Sequence, residues 1–425
     1  MKNILLVVAG VSFIVANQIY NYSSINTDSF CEFVQELEQK NILDGEVCVI
    51  KGDTIVLHEC SKELLACAPK GKAQFLIGSL SKQFTAVALL HVLYTTSIGF
   101  TEAEKCADVK KQLHKPLSFF LPFDALIWSG AMPAWADEVT LHHLLSHTSG
   151  ISSFIKIIFD RSGFDGIWQY LSRPHTAAER VSFIVQEPLA FEPGTSYCYS
   201  NDGYMLLAEV IEAVSGMPFS RYVENLCNSI GMTDTGHPDF GNWKQIKQEP
   251  YYGCLMQELI YSVICTESPL LEPSINMCHD ISNVRGAGGI VSTMQDLIRW
   301  NNVLHKTENL LPKALYELLI KPNLEGYGYG IINNGVMLWH NGRIDSYSSD
   351  MIYVPDEDLL IIVLCHIDHD ETMLRTACAL EAVLQKIIPN AIERQALGNK
   401  FLVDLIEKYP PIRGAELIRK FKIKK

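Results

Sequence analysis

The chain lacks an excess of basic residues, a paired-cysteine motif, an internal repeat, and an apolar run of the roughly 20 residues that cross a bilayer comfortably. Lys and Arg number 35 against 48 Asp and Glu, a net charge of -13. Nucleic acid and anionic membrane surfaces both call for a basic face that displaces counterions, so neither is an expected partner. The basic residues that gather at the end, Arg419, Lys420, Lys422, Lys424 and Lys425, read as a solvated tail. Twelve cysteines include no C-x-x-C and no zinc-like spacing; structural thiols are the plain expectation, and disulfide connectivity is not readable from the sequence. Gly286, Gly288 and Gly289 are followed by no Lys-Ser/Thr pair, which points to tight turns rather than a phosphate loop. No metal and no cofactor is implied.

What is present bounds the fold. At 425 residues and 48% hydrophobic content the chain can bury a large core, so disorder is not expected. Met1-Lys2-Asn3 followed by the mostly apolar stretch Ile4 to Ala16 resembles a secretory signal, with cleavage after Ala16. The expectation is a signal peptide or N-terminal anchor over 1–20 and an exported protein, periplasmic or secreted, with membrane association through this segment alone. No cysteine follows the stretch until Cys31, which argues against a lipid-anchored start.

Glu46 to Ile50 and Thr54 to His58 are β-branched runs flanking Lys51-Gly52-Asp53, a hairpin signal. Phe84 to Leu93 runs apolar without Gly or Pro, as a buried helix does. From about 101 to 283 helical segments alternate with Pro and Gly loops, which suggests an inserted helical subdomain; the additional segment Phe123 to Ala136 and the irregular stretch His237 to Asn283 belong to it. Ser292-Thr293-Met294-Gln295 fits a capping box opening a helix from Met294 to Leu304. Val336 to Trp339, Met351 to Val354 and Leu359 to Leu364 read as strands, with Pro355 to Asp358 as a hairpin loop and Thr372 to Ile388 as a closing helix. Strands at both ends around a helical middle predict an α/β (α+β type) fold: one antiparallel sheet built from both chain ends with flanking helices. The domain expectation is one main unit over 21–390 and a helical basic tail over 391–425.

The chemistry begins at Ser79-Leu80-Ser81-Lys82. A serine hydroxyl needs a base to take its proton, and an i, i+3 spacing at a helix start puts an amine beside it. Ser153-Phe154-Ile155-Lys156 has the same spacing, so neighbours must discriminate. Tyr199-Ser200-Asn201 precedes a helix read as Tyr204 to Ser215, ending on Gly216. A lysine nearby would favour the phenolate of Tyr199 and make it a general base, and Asn201 would hold the lysine and donate to a substrate amide. Taken alone, Tyr199 reads as one of several surface or core aromatics in this stretch. His340-Asn341-Gly342 is read as the end of a strand, where a glycine lets substrate lie alongside and the N–H of Arg343 can help bind an oxyanion. A lone histidine in such a place is ordinarily a satisfied polar residue.

In order along the chain, Gly78-Ser79-Leu80-Ser81-Lys82-Gln83-Phe84-Thr85, Leu144-Leu145-Ser146-His147-Thr148-Ser149-Gly150, Tyr199-Ser200-Asn201, Gly288-Gly289-Ile290-Val291-Ser292-Thr293 and His340-Asn341-Gly342 resemble the serine β-lactamase-related family. That group holds class C β-lactamases, penicillin-binding D-Ala-D-Ala carboxypeptidases and related esterases and peptidases. The resemblance covers roughly Asp44 to Ile388. It implies a serine hydrolase with the nucleophile at Ser79, proton transfer shared by Lys82 and Tyr199, positioning by Asn201, and an oxyanion hole from the backbone amides of Ser79 and Arg343. The substrate would be an ester, amide or peptide, placed by Asn201, His340, Gly342 and Arg343. It also implies that Ser146 to Gly150 is a structural turn with His147 a packing residue, and that Ser153 to Lys156 is coincidence; Ser81, by its place at the helix start, reads as a capping or supporting hydroxyl.

One departure narrows the substrate. Where the family's K-T-G carries lysine this chain has His340, mostly uncharged near neutral pH, so a permanent cation for a substrate carboxylate is missing unless Arg343 compensates. Two other classes compete with the hydrolase. The fold kept as a catalytically idle binding or assembly protein is the main alternative, and the intact Ser79, Lys82 and Tyr199 speak against it. A metal hydrolase on Cys365, His366, Asp368, His369 and Asp370 is disfavoured, since adjacent residues at a strand-to-helix turn point in different directions.

Overall fold

Leu359 to Cys365 is an unbroken apolar run, and because a strand sends alternate side chains to opposite faces, both faces must be covered. The computed structural model describes residues 45–366, except 239–279 and the short gaps 129, 131, 152, 155–156, 159–160, 163–169, 171–172, 186 and 345–346, together with 31, 34 and 35. Its strands are β1 (Gly45–Lys51), β2 (Thr54–Cys60), β3 (Gln74–Leu76), β4 (Val291–Thr293), β5 (Ile332–Asn333), β6 (Leu338–Ile344), β7 (Tyr347–Val354) and β8 (Leu359–His366). Six of them form one sheet in the order β2-β1-β8-β7-β6-β5, each neighbouring pair antiparallel, and β3 pairs with β4 in a separate small sheet. The apolar run is thus β8, near the centre of the large sheet. Leu360, Ile362 and Leu364 face the main core, whereas Leu359, Ile361 and Val363 face a smaller cluster with Val47, Val49 and Trp339. The first hairpin and the last strand are joined through β1 and β8, so the sheet is built from both ends of the described chain.

The helix expected over Phe84 to Leu93 spans Ser81–Thr96, and it is buried on nearly every side. A helix apolar all round belongs inside a core. The helical middle of the chain follows it, with segments that include Glu102–Gln112, Leu141–Leu145, Ala177–Ile184, Asn201–Ser215 and Phe219–Ser229, and the helix Met294–Lys306 comes after β4. Phe84 of the buried helix stacks on Trp300 of Met294–Lys306 with ring centroids 3.9 Å apart. Trp300 also donates its indole N–H to Gln83 Oε1 at 3.2 Å, which locks the two helices together.

Three local readings change. Pairing with β3 keeps Ser292 extended, so the cap of helix Met294–Lys306 is Thr293, whose hydroxyl accepts from the Asp296 N–H at 3.3 Å. The helix expected from Tyr204 starts at Asn201, because Ser200 caps it by accepting from the Gly203 N–H at 3.1 Å; it ends on Gly216 at φ 69° as expected. The strand expected at Val336 to Trp339 runs instead from Leu338 to Ile344, held by seven cross-strand pairs with β7. His340-Asn341-Gly342 therefore lies inside a strand, not at its end. The 1–20 segment, the 372–388 helix, the 391–425 tail, most of His237 to Asn283, Lys156 and Asp368 to Asp370 lie outside the described residues.

Candidate active site

Ser79 sits in a one-turn 3₁₀ segment, Gly78–Leu80, that leads directly into helix Ser81–Thr96. The turn is held from two sides. Ile77 donates its N–H to the Ile290 carbonyl at 3.0 Å, and Ile290 donates back to Ser81 Oγ at 3.1 Å. Ser81 therefore has a supporting part, as its position suggests. On the other side β6 lies against the turn so closely that a Cβ on Gly342 would stand 1.9 Å from the Ile77 carbonyl oxygen. Only glycine permits that approach. The same carbonyl accepts from Ser349 Oγ at 2.7 Å, which ties β7 to the turn as well. Ser79 is half-buried and so open to a substrate.

Lys82, one helical turn on, is fully buried. Its Nζ meets Ser79 Oγ at 3.0 Å, Asn201 Oδ1 at 2.8 Å and the Ala287 carbonyl at 2.7 Å. All three partners are uncharged. Among the described residues Lys82 makes no ion pair with a carboxylate, and burial alone holds its amine well below the ordinary lysine range. The neutral form fits the geometry: two N–H groups go to the two carbonyl-type oxygens, which can only accept, and the lone pair is left for the hydroxyl of Ser79.

Tyr199 also reaches Ser79 with its hydroxyl, while burial pushes its phenol above the ordinary tyrosine value. The residue as a whole is 40% exposed, and Lys82 Nζ lies 4.8 Å from its ring centroid. The sequence-based expectation of a phenolate therefore runs against the environment of the resting site. Tyr199 keeps its proton there, because the neighbouring amine that would favour the phenolate is itself pushed toward its neutral form.

His340 is buried, and both its ring nitrogens are engaged. The Asn341 carbonyl, 2.5 Å from Nδ1, can only accept, so the proton is on Nδ1 and Nε2 accepts from the Tyr327 hydroxyl at 2.9 Å. Burial, and next the nearby Lys82, lower its pKa to about 3. It carries no charge near neutrality. The backbone of Arg343 lies in β6 opposite Ser348, and the position of its side chain is outside what the structure describes.

Sequence reasoning misses two contributors. Gly286 to Gly289 read there as tight turns and, from Gly288, as part of a family motif with no site role given, yet the Ala287 carbonyl between them is the third partner of Lys82. Gly286, at φ 78°, lies where a Cβ would be 2.4 Å from the Tyr204 carbonyl oxygen, so the turn is pressed against helix Asn201–Ser215. Tyr327, the partner of His340, has no motif around it that would single it out. Among the described residues no cluster of His, Cys, Asp and Glu has a metal-binding arrangement. Cys365 is a buried residue of β8.

The family model described as Beta-lactamase matches residues 32–384. Among curated proteins, the chain is 25% identical over 368 residues to penicillin-binding protein 4* of Bacillus subtilis, covering 79% of this chain and 71% of that protein. It is 22% identical over 370 residues to protein flp of Staphylococcus aureus, covering 83% of this chain and 65% of that one, just under two thirds of its length. Among solved structures, a D-amino acid amidase from Ochrobactrum anthropi superposes with a TM-score of 0.60 at 18% identity over 86% of this chain and 99% of the other. An octameric penicillin-binding protein homologue from Pyrococcus abyssi gives 0.59 at 20% identity over 86% and 80%. These structural likenesses concern the fold.

Proposed function

The chain belongs to the beta-lactamase family, and from that premise we propose that it is a serine hydrolase that forms an acyl-enzyme on Ser79 and acts on an ester, amide or peptide. The observation that carries this reading is the buried Lys82 amine, 3.0 Å from Ser79 Oγ and held by two carbonyl-type oxygens, Asn201 Oδ1 and the Ala287 carbonyl. A base must be within hydrogen-bond reach of the proton it takes and must be unprotonated when it takes it; the 3.0 Å contact with Ser79 Oγ and the burial that lowers the Lys82 pKa both support that role.

In the proposed reaction the Ser79 proton passes to Lys82 Nζ as Oγ bonds to the substrate carbonyl carbon. The carbonyl oxygen takes the negative charge and is met by the backbone N–H groups of Ser79 and Arg343. Collapse of the intermediate breaks the bond to the leaving alcohol or amine, which takes a proton from the Tyr199 hydroxyl, and Lys82 returns the proton it had taken to Tyr199. Water then attacks the ester on Ser79, releasing the acid and restoring the hydroxyl. Asn201 holds the lysine throughout.

The uncharged His340 supports a substrate whose recognition does not depend on a carboxylate at that point, as in an ester, an amide or an internal peptide bond. The apolar stretch Ile4 to Ala16 supports export, and the mass of the mature N-terminus from a secreting host tests it. The hydrolase reading is tested with a fluorophosphonate probe. The expected adduct is one per chain, on the peptide holding Ser79, and is absent from a folded Ser79→Ala variant; labelling that persists in that variant overturns the assignment.

A further inference from the structure

The S-H-T-S-G segment is a motif the reaction above does not use, and its histidine is unusual on two counts. His147 adopts φ 58°, in the left-handed region, which a side chain with a Cβ rarely enters. The other described non-glycine residues there, Glu325 and Asp358, sit in turns outside the core. His147 is instead completely buried. A strained backbone held inside a core calls for an account of what it secures.

It secures the backbone on either side of Tyr199. The Cys198 N–H donates to the His147 carbonyl at 2.9 Å, and the Ser200 N–H donates to His147 Nδ1 at 3.1 Å. Main chain and ring of one residue therefore grip positions 198 and 200, with Tyr199 between them. The following residues extend the clip, since Gly194 donates to the Thr148 carbonyl at 2.8 Å and Ala190 to the Gly150 carbonyl at 2.7 Å. The imidazole also packs against the Tyr199 ring, centroids 4.3 Å apart, and against Tyr327 at 4.5 Å and Tyr204 at 5.1 Å. Because a backbone N–H can only donate, Nδ1 must be unprotonated, which puts the ring proton on Nε2. Burial keeps the ring neutral and the acceptor available.

We propose that His147 is a positioning residue for Tyr199, fixing the 198–200 backbone and the phenol ring so that the hydroxyl stays on Ser79. This rests on the reading of Tyr199 as a proton-transfer group. His147→Gly relieves the left-handed backbone but removes the acceptor and the ring; His147→Asn tolerates that backbone and offers an acceptor oxygen. Hydrolysis of a short-chain p-nitrophenyl ester is followed with kcat and KM separated, in the full chain and with near-UV circular dichroism as the check on folding.

The expected result is a loss in kcat of roughly 10- to 100-fold for His147→Gly, with KM little changed and much of the loss recovered in His147→Asn. In a Tyr199→Phe background, adding His147→Gly should cost only about 2-fold more, because both changes act through one hydroxyl. His147→Phe, which keeps a ring without the acceptor, takes the place of the glycine variant should that fail to fold, with the same expected loss. Undiminished kcat, no recovery by asparagine, or losses that multiply in the double variant would overturn the positioning role. The two readings fail separately: an undiminished Tyr199→Phe enzyme strikes the proton-transfer reading, whereas a strongly slowed but measurable one with multiplying losses strikes only His147.

Discussion

Asp202, next to Asn201, is a buried carboxyl that the proposed reaction does not need, and replacing it by asparagine should raise stability in a pH-dependent way. Its Oδ1 accepts from the Phe154 N–H at 3.2 Å, and its Oδ2 is buried without a hydrogen-bond partner among the described residues. Burial raises its pKa from 3.8 to about 7, against the opposing pull of backbone N–H groups. The folded state therefore holds the Asp202 proton more tightly than the unfolded chain does. Between pH 3.8 and about 7 folding takes up a proton, so stability falls as pH rises through that window and levels off above it. A rise of about 3 in pKa corresponds to about 4 kcal/mol of destabilisation in the charged form, at roughly 1.4 kcal/mol per pH unit. The substituted amide never ionises and keeps the acceptor for Phe154; after relaxation of the surroundings, Asp202→Asn should gain about 2–4 kcal/mol at pH 8 and almost nothing near pH 4. Urea unfolding of both proteins at matched ionic strength reads the difference from the midpoints. An equal gain at both pH values, or a loss at pH 8, would refute the reasoning.

Lys82→Met keeps a side chain of similar length without the base, and acylation by an activated ester should slow by roughly 10²–10⁴-fold, as read by stopped-flow release of nitrophenol. His340→Gln should leave the pH profile of acylation unchanged between about pH 5 and 8, because the histidine is already neutral over that range. His340→Lys should lower KM for a D-amino peptide with a free carboxylate by roughly 10-fold, the worth of one charge-assisted hydrogen bond, with little effect on an uncharged ester. Gly342→Ala forces β6 away from the Ile77 carbonyl, and with the Ser79 turn misplaced kcat/KM should drop by about 100-fold; unaltered kcat/KM for that variant would remove the strand from the site.

The parts of this molecule that are legible in its sequence are those with a short-range signal. Alternation and a turn mark the first hairpin, an uninterrupted apolar stretch marks the buried helix behind Ser79, and ordered motifs bring Ser79, Lys82, Tyr199, Asn201 and His340 into one family arrangement; the structure places the first four of these around a single amine and hydroxyl. What is not legible depends on distant parts of the chain. The extension of β6 to Ile344 follows from pairing with β7, and the cap at Thr293 follows from the pairing of β4 with β3. The Ala287 carbonyl is an acceptor for Lys82 only because its turn is pressed onto a helix far earlier in the chain, a separation with no local trace. The protonation of Tyr199 escapes the sequence for a related reason. Proximity of a lysine suggests a phenolate only while the amine is charged, and burial of Lys82 is not visible from residue types.

The central claim, that Ser79 is acylated with Lys82 as its base, is tested most directly by rapid-quench mass spectrometry during turnover of a short-chain ester. The account predicts that one acyl group per chain appears on the Ser79 peptide before steady state, that Lys82→Met delays its appearance by orders of magnitude, and that Ser79→Ala shows none. Turnover without an acyl group on Ser79, or acylation at an undiminished rate in Lys82→Met, would contradict it.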